Sequence, residues 1–296
     1  MKAATQLPMH DLKLFGVYRD GKFTIPDEQV SALRNGKMTD VVELTNLKTK
    51  DVNIEKLPAR LSIIKGEDGN PSLRIDPVYK EANKHPLLTD LERTRLIREE
   101  IANIKKDYVD QHGNIQSQVI EYDKATKQFF SFDPNQVQSP VAVNGQDLSQ
   151  EKRKKFREGE LVELADGTQL QIRSSDRTGI RSNRTGLILS ILVDGGISYL
   201  LVTGIQRLIG KKSAEQRSYS AGYTDAIKEV QKQMQNKVNR NPNDKEAARM
   251  LDEAKLEFSR ASGQSANDQT KQAGMKNPSH DSDQERNQEK DGGRSI

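Results

Sequence analysis

The sequence predicts an α+β protein: tandem small helix-plus-β-hairpin units, then an apolar helical segment, then a polar tail that begins helical and ends disordered. Three observations predict this order: a pattern that recurs in the first half, one long apolar run, and a C-terminal part poor in apolar residues. Of the 296 residues, 33% are hydrophobic and 30% are charged. Because an ordinary domain is nearly half apolar, we expect several small cores rather than one large core.

Three segments share a pattern that starts at Ile25, Leu88 and Leu148. Each segment places a second large apolar residue eight positions after its first. The starts are 63 (88 − 25) and 60 (148 − 88) residues apart, which is a repeat-like spacing. We therefore expect three related units, over residues 1–80, 81–140 and 141–184.

Each unit is expected to begin with a helix. Pro26 suits a first helical turn, Thr89 with Glu92 forms a capping box, and Ser149 is a suitable N-cap. Gly36 and Gly159 would end the first and third helices in the left-handed conformation.

The second unit carries Glu99 where the other units carry these glycines. Its helix is therefore predicted to continue further. A strand over residues 101–109 is the competing interpretation, because apolar and polar residues alternate there.

Each helix is followed by two strand-like runs with turn residues between them. The runs are 60–65 with 72–75, 118–122 with 128–132, and 160–165 with 168–172. Asp166-Gly167 favours a type I′ turn in the third unit. Units of this size are only marginally stable alone, so we expect neighbours to pack together.

One apolar run dominates the segment 185–210. Residues 185–209 include a stretch long enough to cross a bilayer as a helix and are apolar on all sides, as in a helix buried in lipid or protein. Asp194 at mid-bilayer would cost about 2.5–3.5 kcal/mol, and Gly195-Gly196 would interrupt a helix. Three interpretations remain open: a membrane helix, buried or self-associating helices, and a core strand pair. Asp194 is a candidate intramembrane or buried acid.

The tail, residues 211–296, is predicted to form helices over 214–238 and 244–261. A thin apolar stripe runs along the second of these, at Leu251, Ala254, Leu256 and Phe258. From Ser262 onward there is no aromatic residue, and the composition is typical of disorder.

The best binding candidates are four arginines in one short stretch, Arg173, Arg177, Arg181 and Arg184. Guanidinium groups beside hydroxyls suit the phosphates of nucleic acid or another anionic partner. The alternative is a solvated basic collar next to a membrane or a buried helix. A second basic cluster, residues 152–155, lies in a predicted helix and indicates a solvated face.

No catalytic, cofactor-binding or metal-binding motif is recognisable. The chain has no Cys and four scattered His, and we therefore predict a non-enzymatic protein without cofactor. The first residues lack the apolar core of a secretory signal. We expect a cytoplasmic protein, associated with the inner membrane if the apolar run is embedded there.

Residues 59–81 and 179–201 resemble uncharacterised proteins of Bacteroidetes. That family is catalogued as domains of unknown function and is often encoded on conjugative or other mobile elements. The resemblance covers roughly residues 10–210. It implies an accessory role in element transfer or maintenance, and it assigns no activity and no catalytic residues.

These observations predict an accessory interaction protein. Its small units would bind a protein partner, and residues 185–209 would anchor it to a membrane or to further copies of itself. The alternative is a soluble nucleic-acid-binding factor that contacts phosphates through residues 173–184.

Overall fold

A computed structural model of the chain describes residues 6–48, 53–66, 68–193, 195–209 and 218–273. About 29% of the structure is helical and 34% is strand, in several small antiparallel sheets. The predicted α+β class is therefore confirmed.

The first unit begins with two short helices that flank a small hairpin. These are α1 (Met9–Leu14), β1 (Tyr18–Arg19), β2 (Lys22–Phe23) and α2 (Asp27–Arg34). An antiparallel sheet follows, formed by β3 (Val42–Lys48), β4 (Asn53–Lys65) and β5 (Pro71–Pro77) in that order. Leu12, Leu33 and Leu61 are fully buried in the core of this unit.

The second and third units repeat this arrangement. The second contains α3 (Asp90–Ile97), β6 (Asn103–Val109), β7 (Ile115–Asp123), β8 (Gln128–Phe132) and a 3₁₀ turn, Pro134–Gln136. The third unit begins with a small hairpin, β9 (Ala142–Val143) and β10 (Gln146–Asp147). The third contains α4 (Gln150–Arg157), β11 (Val162–Glu163), β12 (Gln169–Ile172) and β13 (Ile180–Ser182).

The predicted repeat is visible in the helices. Helices α2, α3 and α4 each have 8 residues, and each precedes a three-stranded antiparallel sheet. The capping box of Thr89 and Glu92 and the N-cap of Ser149 are present as predicted. Pro26 differs slightly, because it is the N-cap of α2 and lies just outside its first turn.

The expected continuation of α3 through Glu99 is wrong. The helix ends at Ile97, and the backbone amides of Glu99 and Glu100 donate to Leu96 and Arg95 and close its end. Glu99 has a φ of 56°, close to the 65° of Gly36 and the 76° of Gly159 at the matching places. The competing interpretation holds, because residues 103–109 form strand β6.

We expect Glu99→Gly to stabilise the protein by about 0.5–1 kcal/mol. The left-handed backbone strains any residue that has a Cβ, and glycine removes that strain. The ion pair of Glu99 with Lys124, at 3.6 Å and largely exposed, contributes little. Urea denaturation measures the difference, with Glu100→Gly as the control that should destabilise. A lower midpoint for Glu99→Gly would contradict this assignment of strain.

Asp166-Gly167 does not form the predicted type I′ turn. Gly167 has a φ of 74°, but Asp166 is not in the left-handed region, and Leu164 and Thr168 bond across a three-residue loop. A type I′ turn needs positive φ at both central residues. Asn144-Gly145, with φ angles of 50° and 78°, meets that condition between β9 and β10.

The apolar run forms two strands, so the predicted helical segment is wrong and the third interpretation, a core strand pair, holds. Strands β14 (Gly186–Val193) and β15 (Gly196–Thr203) pair antiparallel along their whole length in a sheet of order β10-β9-β14-β15. No helix in the described part of the chain is long and apolar enough to cross a membrane. Asp194, between the two strands, lies outside the described residues.

Residues 186–190 of β14 are buried on both faces of the sheet, which explains why apolar residues do not alternate with polar ones there. Leu187 and Leu189 pack into the core of the third unit, which also contains Phe156. Ile188, between them, packs on the opposite face against the C-terminal helices. A strand covered on both faces reads as a continuous apolar run rather than an alternating one.

The C-terminal helices are α5 (Tyr223–Arg240) and α6 (Lys245–Ala273). They pack together and cover one face of β14 through a shared core. In the predicted stripe Leu251 and Ala254 are buried, but Leu256 is exposed. Disorder is predicted from Ser262 onward, but residues 262–273 are helical as part of α6, so the prediction is wrong there. Residues 274–296 lie outside the described part.

Candidate functional site

Two of the four candidate arginines, Arg173 and Arg177, lie at contacts between the units. Arg173 follows β12 and is almost fully buried, with 3% of its side chain exposed. Its guanidinium donates to the carbonyl oxygen of Ala102 at 2.6 Å and to that of Tyr122, both in the second unit. Arg173 therefore joins the third unit to the second.

Glu121 of β7 is the buried carboxylate beside Arg173. Its Oε2 lies 3.8 Å from Arg173 Nε. Its Oε1 accepts hydrogen bonds from the Ser174 hydroxyl at 2.8 Å and the Ser175 amide at 2.6 Å. The opposite charges and these hydrogen bonds offset the cost of burying both groups.

Arg60 completes the same cluster and is not among the four arginines predicted from the sequence. This residue of β4 lies 3.0 Å from the Asp123 carboxylate of the second unit and donates to the Ser175 carbonyl of the third. Both ionic side chains are about 6–7% exposed. One signal was present in the sequence, a charged residue between Ala59 and Leu61 in a strand-like run. We call Arg60, Glu121, Asp123 and Arg173 the junction cluster.

Arg177 connects the third unit to the first. Its Nε lies 3.0 Å from the Asp40 carboxylate, which also accepts from Gln29 Nε2 at 3.0 Å. Lys37 donates to the Thr178 carbonyl nearby. Burial, and secondarily the positive charge of Arg177, lowers the pKa of Lys37 to about 8.

Arg181 and Arg184 are held within the third unit and its neighbouring segments. Arg181 forms a two-pronged pair with Asp176, with distances of 2.6 and 3.2 Å. Arg184 donates to the Thr168 hydroxyl at 3.0 Å and the Asp166 carbonyl at 2.7 Å. All four candidate arginines thus bind acceptors of the protein itself.

Within the described ranges, no group of three or more His, Asp or Glu residues is arranged to hold a metal ion. Burial raises the pKa of Asp76, which lies near the junction cluster, and Arg74 at 2.9 Å opposes that rise. The chemistry of this region is that of opposite charges paired between units. Such pairing fixes the relative positions of the three units.

The second candidate feature is strand β15, at the edge of its sheet. Its sequence, Gly-Ile-Ser-Tyr-Leu-Leu-Val-Thr, has no charged residue and no proline. At the tip of the hairpin, Leu192 and Ile197 lie directly opposite each other and are 51% and 52% exposed. An edge of this kind is one to which another strand can add.

The hydrogen bonds of β14 show which groups of β15 face outward. Ile188 and Ser190 accept backbone bonds from Asn144 and Val141, on the side away from β15. Backbone groups alternate between the two sides of a strand, so the intervening residues of β14 bond to β15. Their β15 partners are Gly196, Ser198, Leu200 and Val202.

The other residues of β15 therefore direct their backbone N–H and C=O groups away from β14. These residues are Ile197, Tyr199, Leu201 and Thr203. No backbone bond joins this outer side to another part of the chain that the structure describes. The Tyr199 side chain is fixed by a hydrogen bond of 2.8 Å from Gln233 of α5, so the strand is held in place while its outer side stays open.

Comparison with known proteins gives one family match. Residues 3–86 match the model of a family described as "Protein of unknown function (DUF4099)". No curated protein and no solved structure matches the chain. The match contains residues 59–81 and does not reach residues 179–201. The first unit therefore corresponds to an uncharacterised domain of unknown function.

Proposed function

We propose that this protein is a non-enzymatic interaction protein that assembles with a second copy of itself through strand β15. The observation that carries the proposal is the open outer side of an uncharged edge strand of 8 residues. The junction cluster supports it, because units held in fixed positions present the strand in one orientation.

The composition of β15 favours pairing over exposure. Proteins ordinarily protect an edge strand with charges, proline, a bulge or a covering element. Strand β15 pairs residue for residue with β14, without a bulge, and has neither charge nor proline. A strand with these properties gains stability when its outer hydrogen-bonding groups find partners.

A second copy is the occupant that fits best. A two-fold axis perpendicular to the sheet pairs β15 antiparallel with its own copy, which is an isologous contact. A register centred on Tyr199 matches Ile197 of each copy with Leu201 of the other, so outward groups meet outward groups. Because the strand has no charged residue, no like charges oppose each other.

The two longest segments of the chain outside the described residues suit this edge poorly. Residues 210–217 contain no large apolar residue, and residues 274–296 contain two, Met275 and Ile296. Neither segment has the alternating pattern of a half-buried strand. These compositions favour a partner strand from another molecule.

The wider role that we propose is an accessory one in a conjugative or other mobile element of Bacteroidetes. The support for this is the resemblance of residues 59–81 and 179–201. The three units would also offer surfaces to a protein partner. The second candidate, nucleic-acid binding through residues 173–184, has less support, because Arg173, Arg177, Arg181 and Arg184 already bind protein acceptors.

Replacing Ile197 with proline tests the proposal. Proline removes an outward N–H without removing a bond to β14, and proline is tolerated on an edge strand. In the proposed register each dimer loses two hydrogen bonds, and we expect self-association to weaken by roughly one to two orders of magnitude. Sedimentation equilibrium over a range of concentrations measures the dissociation constant.

Ile197→Thr is the matched control, because threonine keeps the N–H and the strand preference but shortens the apolar side chain. We expect this variant to dimerise nearly as well as the native protein. If both variants weakened self-association equally, the contact between copies would be docking of the apolar hairpin tip and not pairing of the strand edges. A native protein that stays monomeric at every concentration would overturn the proposal.

A further inference from the structure

Helix α4 concentrates positive charge that the protein does not neutralise. Five of its 8 residues are cationic: Lys152, Arg153, Lys154, Lys155 and Arg157. Lys155 pairs with Glu151 at 2.8 Å. Within the described residues, the other four have no carboxylate within ion-pair distance. This is the reverse of the arginines at 173–184, which all bind acceptors of the protein.

Three of these cations line one concavity. Arg153, Lys154 and Arg157, together with Gln150 and Glu151, surround a surface depression of about 450 Å³. Arg153 and Arg157 are four residues apart, so they lie on the same face of the helix. Like charges in that arrangement repel each other, and an anion between them would relieve the repulsion.

Arg153 carries a hydrogen-bond donor in need of an acceptor. Its Nε is buried and has no partner among the described residues. Arg157 has one weak bond, to the Ser139 hydroxyl at 3.4 Å. Buried donors in folded proteins nearly always have acceptors. Because the buried Nε lies out of reach of solvent, the outer guanidinium nitrogens of Arg153 and Arg157 are the groups available to an anionic ligand with several oxygens.

We propose that the concavity on α4 binds a phosphate group of a nucleic-acid backbone. A guanidinium fork fits two phosphate oxygens, and a neighbouring lysine adds a point charge. The one acid in the lining, Glu151, is already paired with Lys155. The lining contains no aromatic residue on which a base could stack. Recognition would therefore be of the backbone and independent of base sequence.

The salt dependence of DNA binding tests this proposal. The test variant combines Arg153→Gln, Lys154→Gln and Arg157→Gln. The control combines Lys232→Gln, Lys237→Gln and Arg240→Gln, which removes the same charge from exposed positions of α5. Fluorescence anisotropy with a short DNA duplex, repeated at several salt concentrations, gives the slope of log affinity against log salt.

We expect native affinity to fall steeply with salt. The α4 variant should reduce the slope by about 0.9 for each lost contact, or about 2–3 in all, whereas the control should leave it nearly unchanged. Equal effects of both variants would overturn the proposal, because only net charge would then matter. Competition with inorganic phosphate distinguishes a nucleic-acid backbone from free phosphate as the ligand. Binding of inorganic phosphate without binding of the duplex would overturn the assignment to nucleic acid. No binding of either ligand at low salt would overturn the site itself.

Discussion

Arg173→Leu is expected to lower the free energy of unfolding by about 3–5 kcal/mol, as is typical when one partner of a buried ion pair is removed. The change leaves the Glu121 carboxylate, whose side chain is 0% exposed, without its counter-charge. It also removes the donors that Arg173 provides to the carbonyls of Ala102 and Tyr122. Urea denaturation monitored by circular dichroism measures the loss.

Two further variants establish the cause. Arg98→Leu removes an arginine whose side chain is 70% exposed, and we expect a change within about 0.5 kcal/mol. Combining Arg173→Leu with Glu121→Leu should recover part of the loss, because no lone buried charge then remains. If Arg173→Leu costs no more than Arg98→Leu, the junction cluster does not hold the units together.

Alanine substitution at Leu187 and Ile188 is expected to cost about 2–5 kcal/mol at each position, as for other large-to-small changes in a core. The two residues are adjacent, and successive side chains of a strand point to opposite faces. Leu187 is 0% exposed in the core of the third unit, and Ile188 is 1% exposed beneath α5 and α6. The two unfolding midpoints should therefore both fall.

Leu192→Ala serves as the comparison, since Leu192 belongs to the same strand but is 51% exposed. Its free energy of unfolding should change by roughly 0.5 kcal/mol or less. A large effect at one of the two buried positions and none at the other would mean that β14 is covered on one face. That result would contradict the two-sided burial that explains its sequence.

Local chemistry predicted the repeated part of the fold. The capping box of Thr89 and Glu92 and the glycine at Gly159 act within a few residues, and both are present in the structure. The prediction failed at Glu99, where the return of the chain to the sheet requires a left-handed residue despite an unfavourable side chain. Tertiary packing there outweighs a local backbone preference.

The prediction of a helix from the apolar run is wrong for a physical reason. Burial on all sides removes the alternation that ordinarily distinguishes a strand from a helix. The layer that covers Ile188 is built from α5 and α6, whose polar sequences gave little sign of a buried face. Met234 and Met250 lie in that core, but the predicted stripe contained neither.

The sequence marks four arginines as binding candidates, but it does not show which groups they contact. Arg173 and Arg177 bind acceptors that lie 71 and 137 residues away along the chain. No spacing rule connects residues so far apart, so the sequence leaves phosphate binding and a solvated basic collar as the two interpretations of these arginines. Among the described residues, α4 carries a cluster of four cations without an acid partner, which composition alone indicated to be a solvated face.

The long sequence separation of the contacts between units affects how the protein matures during synthesis. Arg60 finds one of its acceptors in Ser175, 115 residues later, and Lys37 finds Thr178, 141 residues later. At ordinary translation rates the first unit leaves the ribosome roughly ten seconds before these acceptors do. During that interval the segment that matches the family model carries a charged side chain without its final neighbours. Its completion depends on a part of the chain that is not yet made.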